Sequence, residues 1–143
     1  MKKLALLPEN LNADLALLTL RLIFGFCMAY LHGTSKLNTL FGDKPVEFMN
    51  FMGLGDTFSL ALVVFAEFFC SILLIIGLFT RLASLPLMFT MLVAVLYVHS
   101  NDPFSDKEHG LLYLGVYFVL FLMGPGRYSI DAFLSIRKKS TSQ

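Results

Sequence analysis

The sequence predicts an all-α integral membrane protein, a bundle of four membrane-spanning helices, from three observations. Of its 143 residues, 57% are hydrophobic and 15% are charged, whereas about half of a soluble domain is apolar and about a quarter is charged. Its mean hydropathy is +0.73. Four apolar runs follow one another, and none of them shows the strict alternation of a strand. The composition therefore excludes an ordinary soluble globular protein, and the net charge of +1 gives no indication of a nucleic-acid partner.

The four spans are predicted at residues 14–31, 58–78, 82–98 and 110–123. Together they make one membrane domain over residues 1–135, and residues 136–143 are predicted to form a basic, flexible cytoplasmic tail. The last run is short, so it begins in the preceding loop or lies in a locally thinned membrane.

The long connection between the first two spans contains the segment 45–53, which predicts a short amphipathic helix. Pro45 suits the first turn of a helix, and Gly53 suits its end. Phe48 and Phe51 would give this helix an apolar side for the membrane interface. A spacer without a function has the same composition, so that alternative stays open.

The distribution of Lys and Arg predicts that both termini lie in the cytoplasm. With the N-terminus inside, seven basic residues flank the inner side and three flank the outer side. The seven are Lys2, Lys3, Arg81, Arg127, Arg137, Lys138 and Lys139, and the three are Lys36, Lys44 and Lys107. The positive-inside rule then gives the orientation, and a bacterial inner (plasma) membrane is the expected location.

Glu67 is the charge that stands out, because it lies near the middle of the second span. A charged group there costs about 2.5–3.5 kcal/mol on insertion scales, so it needs a partner. Arg21, in the first span, differs from it in predicted depth by roughly 7 Å at 1.5 Å per residue. Gly25, one turn later, would let the second helix come close. We therefore expect an Arg21–Glu67 contact, direct or through water. The alternative is that Arg21 extends to the headgroups.

A ring of titratable residues is predicted at the outer rim. His32 ends the first predicted span, His99 ends the third, and His109 begins the fourth, so alternating helix directions bring all three to one side. Lys36 and Glu108 join them. Histidine is suited to carrying protons or binding metals at physiological pH. Polar residues at helix ends also meet headgroups and water without any further function, so both interpretations stay open.

The fourth span carries a polar stripe, because His109, Tyr113 and Tyr117 recur every four residues. The sequence therefore predicts a polar cavity with histidines at its mouth, tyrosines on one wall, and Glu67 with Arg21 at its floor.

The motifs of several common sites are missing from the sequence. Cys27 and Cys70 form no CxxC pair, and their different depths disfavour a disulfide. No two histidines stand four residues apart on one helix, so a metal or haem site has little support, and no metal ligands are predicted. There is no phosphate loop, Ser-His-Asp set or nucleotide fingerprint. Catalytic residues, and whether the chain is an enzyme at all, stay open.

Several motifs, in order along the chain, resemble the DoxX family of bacterial four-helix membrane proteins. They are Arg21 with Leu22 and Gly25, residues 32–37 (HGTSKL), Glu67, residues 77–81 (GLFTR), Glu108 with residues 111–114 (LLYL), and residues 124–131 (GPGRYSID). The resemblance implies a four-helix inner-membrane protein. The family takes its name from a subunit of a quinol oxidase system, and relatives are linked to thiosulfate–quinone and thiol redox complexes. The missing CxxC argues against thiol–disulfide chemistry in this chain.

The leading hypothesis is a redox-associated protein whose cavity binds a quinone or a similar lipophilic molecule. A quinone needs hydrogen-bond donors beside an apolar slot, and its reduction needs protons. A redox protein in the membrane or the periplasm, or a second copy of the chain, would be the partner. Two alternatives stay open: a non-catalytic assembly or anchoring subunit, and a small proton-coupled carrier, which would need an oligomer.

Overall fold

A computed structural model describes the backbone of residues 9–141 and the side chains of residues 11–137. In this part of the chain five helices follow one another: α1 (residues 9–40), α2 (residues 56–76), α3 (residues 80–98), α4 (Phe104–Met123) and α5 (Ile130–Thr141). The first four pack around a ring in which α1 contacts α2, α2 contacts α3, α3 contacts α4, and α4 contacts α1. The all-α prediction is confirmed.

Three helices have the length and apolar composition of membrane spans, namely Leu11–Leu40, Asp56–Ile76 and Thr80–Val98. The fourth helix, α4, is 20 residues long, but Asp106, Lys107 and Glu108 lie in its first two turns. It begins directly after Pro103, six residues before the predicted start of the fourth span. The membrane prediction is confirmed, whereas the side on which each terminus lies stays a prediction.

Each of the first three helices contains one π-helical turn: Met28–Gly33 in α1, Phe65–Cys70 in α2 and Ala94–Val98 in α3. The backbone N–H of Thr34 donates to the carbonyl of Ala29, and that of His99 donates to the carbonyl of Ala94, five residues back in each case. Each extra residue advances the helix by about 100°, so the residues beyond it face a new direction. The π-helical turns of α1 and α2 pack against each other.

The helix α1 is much longer than the predicted span 14–31, because it continues through Gly33 to Leu40. Gly33 does not end the helix. A Cβ atom there would lie 2.9 Å from the carbonyl oxygen of Glu67 and from the Cα of Phe68, so the missing side chain lets α2 pack tightly. His32 and Lys36 therefore belong to α1 and lie one turn apart.

The predicted helix at residues 45–53 is reduced to the single 3₁₀ turn Phe51–Gly53, and that part of the prediction is wrong. Instead of forming a helix, this segment is hydrogen-bonded to the start of α2. The Phe51 N–H donates to Oγ of Ser59 at 3.1 Å, and the Gly55 N–H donates to Oδ1 of Asn50 at 2.8 Å. These bonds draw the segment inward over the bundle.

The helix α5 continues to Thr141, so residues 136–141 of the predicted tail have helical backbone, whereas the flexibility of the tail stays a prediction. The reason for the helix is spacing: Ile130, Phe133 and Leu134 fall at helical intervals along the start of α5. These three side chains are all exposed. This exposure suits a helix lying along a membrane surface.

The end of the bundle that holds Arg21, Arg81 and Arg127, here called the arginine end, is closed by hydrogen bonds between distant segments. Asp131 is central to it. Its Oδ1 accepts from the N–H of Phe79 at 2.9 Å, and its Oδ2 accepts from the N–H of Thr80 at 3.1 Å. These donors belong to the first turn of α3, so the carboxylate satisfies groups that a helix start leaves unpaired.

Replacing Asp131 with Ala is expected to destabilise the protein by about 1–2 kcal/mol, because two N–H groups at the start of α3 lose their acceptor. The free energy of unfolding, measured by denaturant titration of detergent-solubilised protein, checks this. Asp43→Ala, at an exposed loop carboxylate, is the matched control. Equal effects of the two substitutions would contradict the role given to Asp131.

Candidate functional site

The carboxylate of Glu67 forms an ion pair with Lys36. The Nζ atom of Lys36 lies 2.5 Å from Oε2 of Glu67. The Glu67 side chain is only 4% exposed, while that of Lys36 is 28% exposed. Glu67 lies eleven residues into α2, about 16 Å from the start of that helix. The ion pair is therefore buried on the carboxylate side and opens outward on the lysine side.

The predicted contact between Arg21 and Glu67 is wrong, because the two helices pack in a different register from the expected one. Gly33 lies against Glu67, and Gly25 lies against Ser71 and Ile75. Arg21 is twelve residues before Gly33, and is therefore about 18 Å further along the axis of α1. The close approach at Gly25 is confirmed: a Cβ there would lie 2.8 Å from Cγ1 of Ile75.

Arg21 belongs to the arginine end and not to the floor of a cavity. It is 1% exposed. Its Nη1 donates to the carbonyl of Pro125 and its Nη2 to the carbonyl of Tyr128, both at 2.5 Å. A guanidinium suits this place because its rigid fork can hold two carbonyls of one loop at once. The predicted alternative, in which Arg21 reaches headgroups, also fails, since the side chain is buried and both of its terminal nitrogens bond inside the protein.

A cavity of about 270 Å³ lies beside the ion pair, at the end of the bundle opposite the arginine end. We call this the histidine end, defined by His32, His99 and His109. The polar lining residues are His32, Lys36, Glu67, Thr90, His99, Asp106, His109 and Tyr113, and the apolar ones include Met28, Phe48, Met49, Val63, Met91, Val93 and Val95. The structure thus brings together most of the residues predicted at the rim, around Glu67 but without Arg21.

The predicted stripe on α4 divides into two parts. His109 and Tyr113 line the cavity, and the ring of Tyr113 packs edge-on against His32, with centroids 6.1 Å apart. Tyr117 lies deeper, with its ring centroid 5.9 Å from that of Tyr113. It is fully buried, and its side chain interacts with that of Ser71 on α2. Tyr117 therefore forms part of the core beneath the cavity and does not line it.

Glu108 is exposed and does not line the cavity, whereas Asp106 does. The prediction chose the wrong acidic residue because it started α4 too late. With the helix beginning at Phe104, Asp106 lies one turn before His109, on the same side of α4. The Asp-Pro pair at residues 102–103, a typical signal before a helix, was the clue.

The loop between α3 and α4 holds His99 in place. Its Nδ1 lies 2.7 Å from Oδ2 of Asp102. A carboxylate on one ring nitrogen fixes the orientation of the imidazole and leaves the other nitrogen free to act.

The residues around the cavity can donate hydrogen bonds and exchange protons. An ammonium group, a tyrosine hydroxyl and imidazoles are donors that suit a carbonyl oxygen. In the described part of the chain, no group of three or more His, Cys, Asp or Glu side chains is arranged to hold a metal ion. Cys27 and Cys70 are free thiols and lie outside the cavity.

The Lys36–Glu67 ion pair is expected to show energetic coupling. Lys36→Met leaves a buried carboxylate unpaired, and Glu67→Gln leaves the ammonium group with a neutral partner. A double-mutant cycle on the free energy of unfolding should give a coupling energy of about 1–3 kcal/mol. Purely additive effects of the two substitutions would contradict the pairing.

Comparison with known proteins gives a match to a family model. The family model for DoxX matches residues 16–100. Neither a curated protein nor a solved structure matches the chain. The matched stretch extends from within α1 to just after α3, and it includes the Lys36–Glu67 ion pair and the glycine that lets the two helices meet. Since this is more than half of its length, the chain belongs to the DoxX family.

Proposed function

We propose that the cavity at the histidine end binds the head group of a membrane quinone, and that the chain serves a redox process in a bacterial plasma membrane. The observation that carries this proposal is the buried Lys36–Glu67 ion pair on the wall of a cavity that also holds three imidazoles. A charge held at this depth is costly, and such residues in membrane spans usually mark a pathway or a ligand site.

The chemistry of the lining suits a quinone ring. Lys36, His32 and Tyr113 offer donors to the ring oxygens, and Met28, Val95 and their apolar neighbours offer a surface for the ring itself. The volume of about 270 Å³ is close to the lower limit of about 300 Å³ for small-molecule pockets. It is therefore suited to the head group of a quinone, whether a single ring or two fused rings.

On this proposal the carboxylate of Glu67 positions Lys36, and the imidazoles exchange protons with water at the exposed histidine end. His32 and His109 are both exposed, so a proton taken up there has direct access to the cavity. A partner redox protein in the membrane or the periplasm supplies or removes the electrons, and the chain itself supplies binding and proton exchange.

The quinone proposal is tested by titrating purified protein in nanodiscs with menadione, a quinone without an isoprenoid tail. We expect saturable heat release in calorimetry, and a loss of affinity of at least about tenfold in Lys36→Met, which is about 1.4 kcal/mol. Lys44→Met removes an exposed lysine in the loop and should bind as the wild type does. Absence of saturable binding by the wild type would overturn the proposal.

The assembly-subunit alternative has its own support, because the Lys36–Glu67 ion pair joins α1 to α2. It predicts a different result in the same proteins. Lys36→Met and Glu67→Gln would lower the yield of folded protein, and the protein that does fold would bind no quinone either with or without the substitution.

A further inference from the structure

The cavity at the histidine end is too small for a complete membrane quinone, whose isoprenoid tail is much longer than its ring. A second space of about 330 Å³ lies directly beside it, between α2 and α3 and under the loop before α2. We call this space the lateral groove. It is lined by residues 59–66 of α2, by residues 86–93 of α3 and by loop residues such as Phe51 and Leu54.

The lateral groove and the cavity share one wall. Five residues line both spaces: Phe48, Met49, Val63, Thr90 and Val93. Two come from the loop, one from α2 and two from α3, so the shared wall lies where the loop, α2 and α3 meet. A molecule with its ring beside Glu67 would meet this wall where its substituents leave the cavity.

The lateral groove is apolar, because its two hydroxyl groups are engaged within the protein. Ser59 accepts the N–H of Phe51 at 3.1 Å. Thr90 donates to the carbonyl of Pro86 at 2.9 Å. All the other side chains that line it are hydrocarbon, aromatic or thioether groups. The lateral groove therefore suits an alkyl chain and offers nothing to a polar head.

The outer side of the lateral groove faces the bilayer. Leu62 is 45% exposed, Phe65 is 52% exposed and Phe89 is 58% exposed, and all three lie on helices that are apolar enough to span a membrane. Exposed side chains at this depth contact lipid tails, so a hydrocarbon chain can pass between bilayer and lateral groove without crossing water.

The loop closes the lateral groove toward the histidine end. The ring of Phe51 packs edge-on against Phe89, with centroids 6.1 Å apart, and against Tyr97 at 6.0 Å. With the bond between Phe51 and Ser59, these contacts fix the loop across both helices. This explains why the segment is not the predicted helix: its side chains turn inward to α2 and α3.

We propose that the lateral groove holds the first isoprenoid units of the quinone tail, and that the ligand reaches the cavity sideways from the bilayer, between α2 and α3. This proposal rests on the proposed function. The inference adds to the proposed function that the quinone carries a tail, with its ring in the cavity and its tail leaving through the lateral groove. The shared wall favours this occupant over a lipid acyl chain, since the tail would continue directly from a ring bound in the adjacent cavity.

The test compares menadione with a menaquinone that carries two isoprenoid units. In wild-type protein the tailed ligand should bind at least about tenfold more tightly. Leu62→Trp fills the lateral groove from its lipid-exposed side, so it should lose this gain and keep the affinity for menadione. Phe65→Trp should do the same and serves if the first variant folds poorly. Leu112→Trp is the matched control, because Leu112 is 57% exposed on α4 and lines neither space.

The outcomes separate the two proposals. If wild type binds menadione and Leu62→Trp keeps the full gain from the tail, the lateral groove is not the tail site. If wild type binds no menadione, the quinone proposal fails first. A phospholipid with a photoreactive acyl chain gives the last outcome. Labelling of residues 59–66 that the tailed quinone does not displace would identify a lipid site and overturn the inference.

Discussion

The ion pair between Lys36 and Glu67 is the constraint on which the site depends. A carboxylate in the middle of a membrane span requires a cation, and only a helix that continues well beyond the expected end of the first span can bring one to it. The continuation of α1 through Gly33 meets this requirement. It also places His32 one turn before Lys36, on the same wall of the cavity. The length of α1 and its register against α2 thus bring a cation to Glu67 and place the hydrogen-bond donors of the cavity.

Arg21 and Lys36 have different roles at opposite ends of the bundle. The guanidinium of Arg21 donates to two backbone carbonyls. With the carboxylate of Asp131 at the start of α3, it closes the arginine end. Lys36 is a point charge on a flexible stem, so it can pair with Glu67 and still face a cavity. The two ends of the bundle therefore differ: hydrogen bonds close the arginine end, and the cavity lies at the histidine end. The closed end fixes the helices, and the open end is free to carry histidines that contact water.

The sequence predicts the composition of this site better than its geometry. The helices, the anomaly of Glu67 and the gathering of His32, His99 and His109 all follow from hydropathy and alternating helix direction. The pairing does not, because it depends on register. In the sequence, Gly33 follows the predicted end of the first span. In the structure it lies within α1, where the missing side chain lets α2 pack closely against α1. The π-helical turns have no clear signature in sequence, yet each rotates the residues that follow it. An error of a few residues at a helix end is thus enough to exchange Arg21 for Lys36 as the partner of Glu67.

The π-helical turns also explain why a cavity exists in such a small bundle. Regular antiparallel helices with small contact residues would pack without a gap. Here α1, α2 and α3 each depart from α-helical geometry, and the affected turns contribute Met28, His32, Glu67, Val95 and Val98 to the cavity lining. Such turns cost stability and recur where function needs a widened helix. Val63, Thr90 and Val93 stand between this cavity and the lateral groove, since all three line both spaces. A cavity with polar lining groups beside an apolar groove suits a ligand that has a polar head and a hydrocarbon chain.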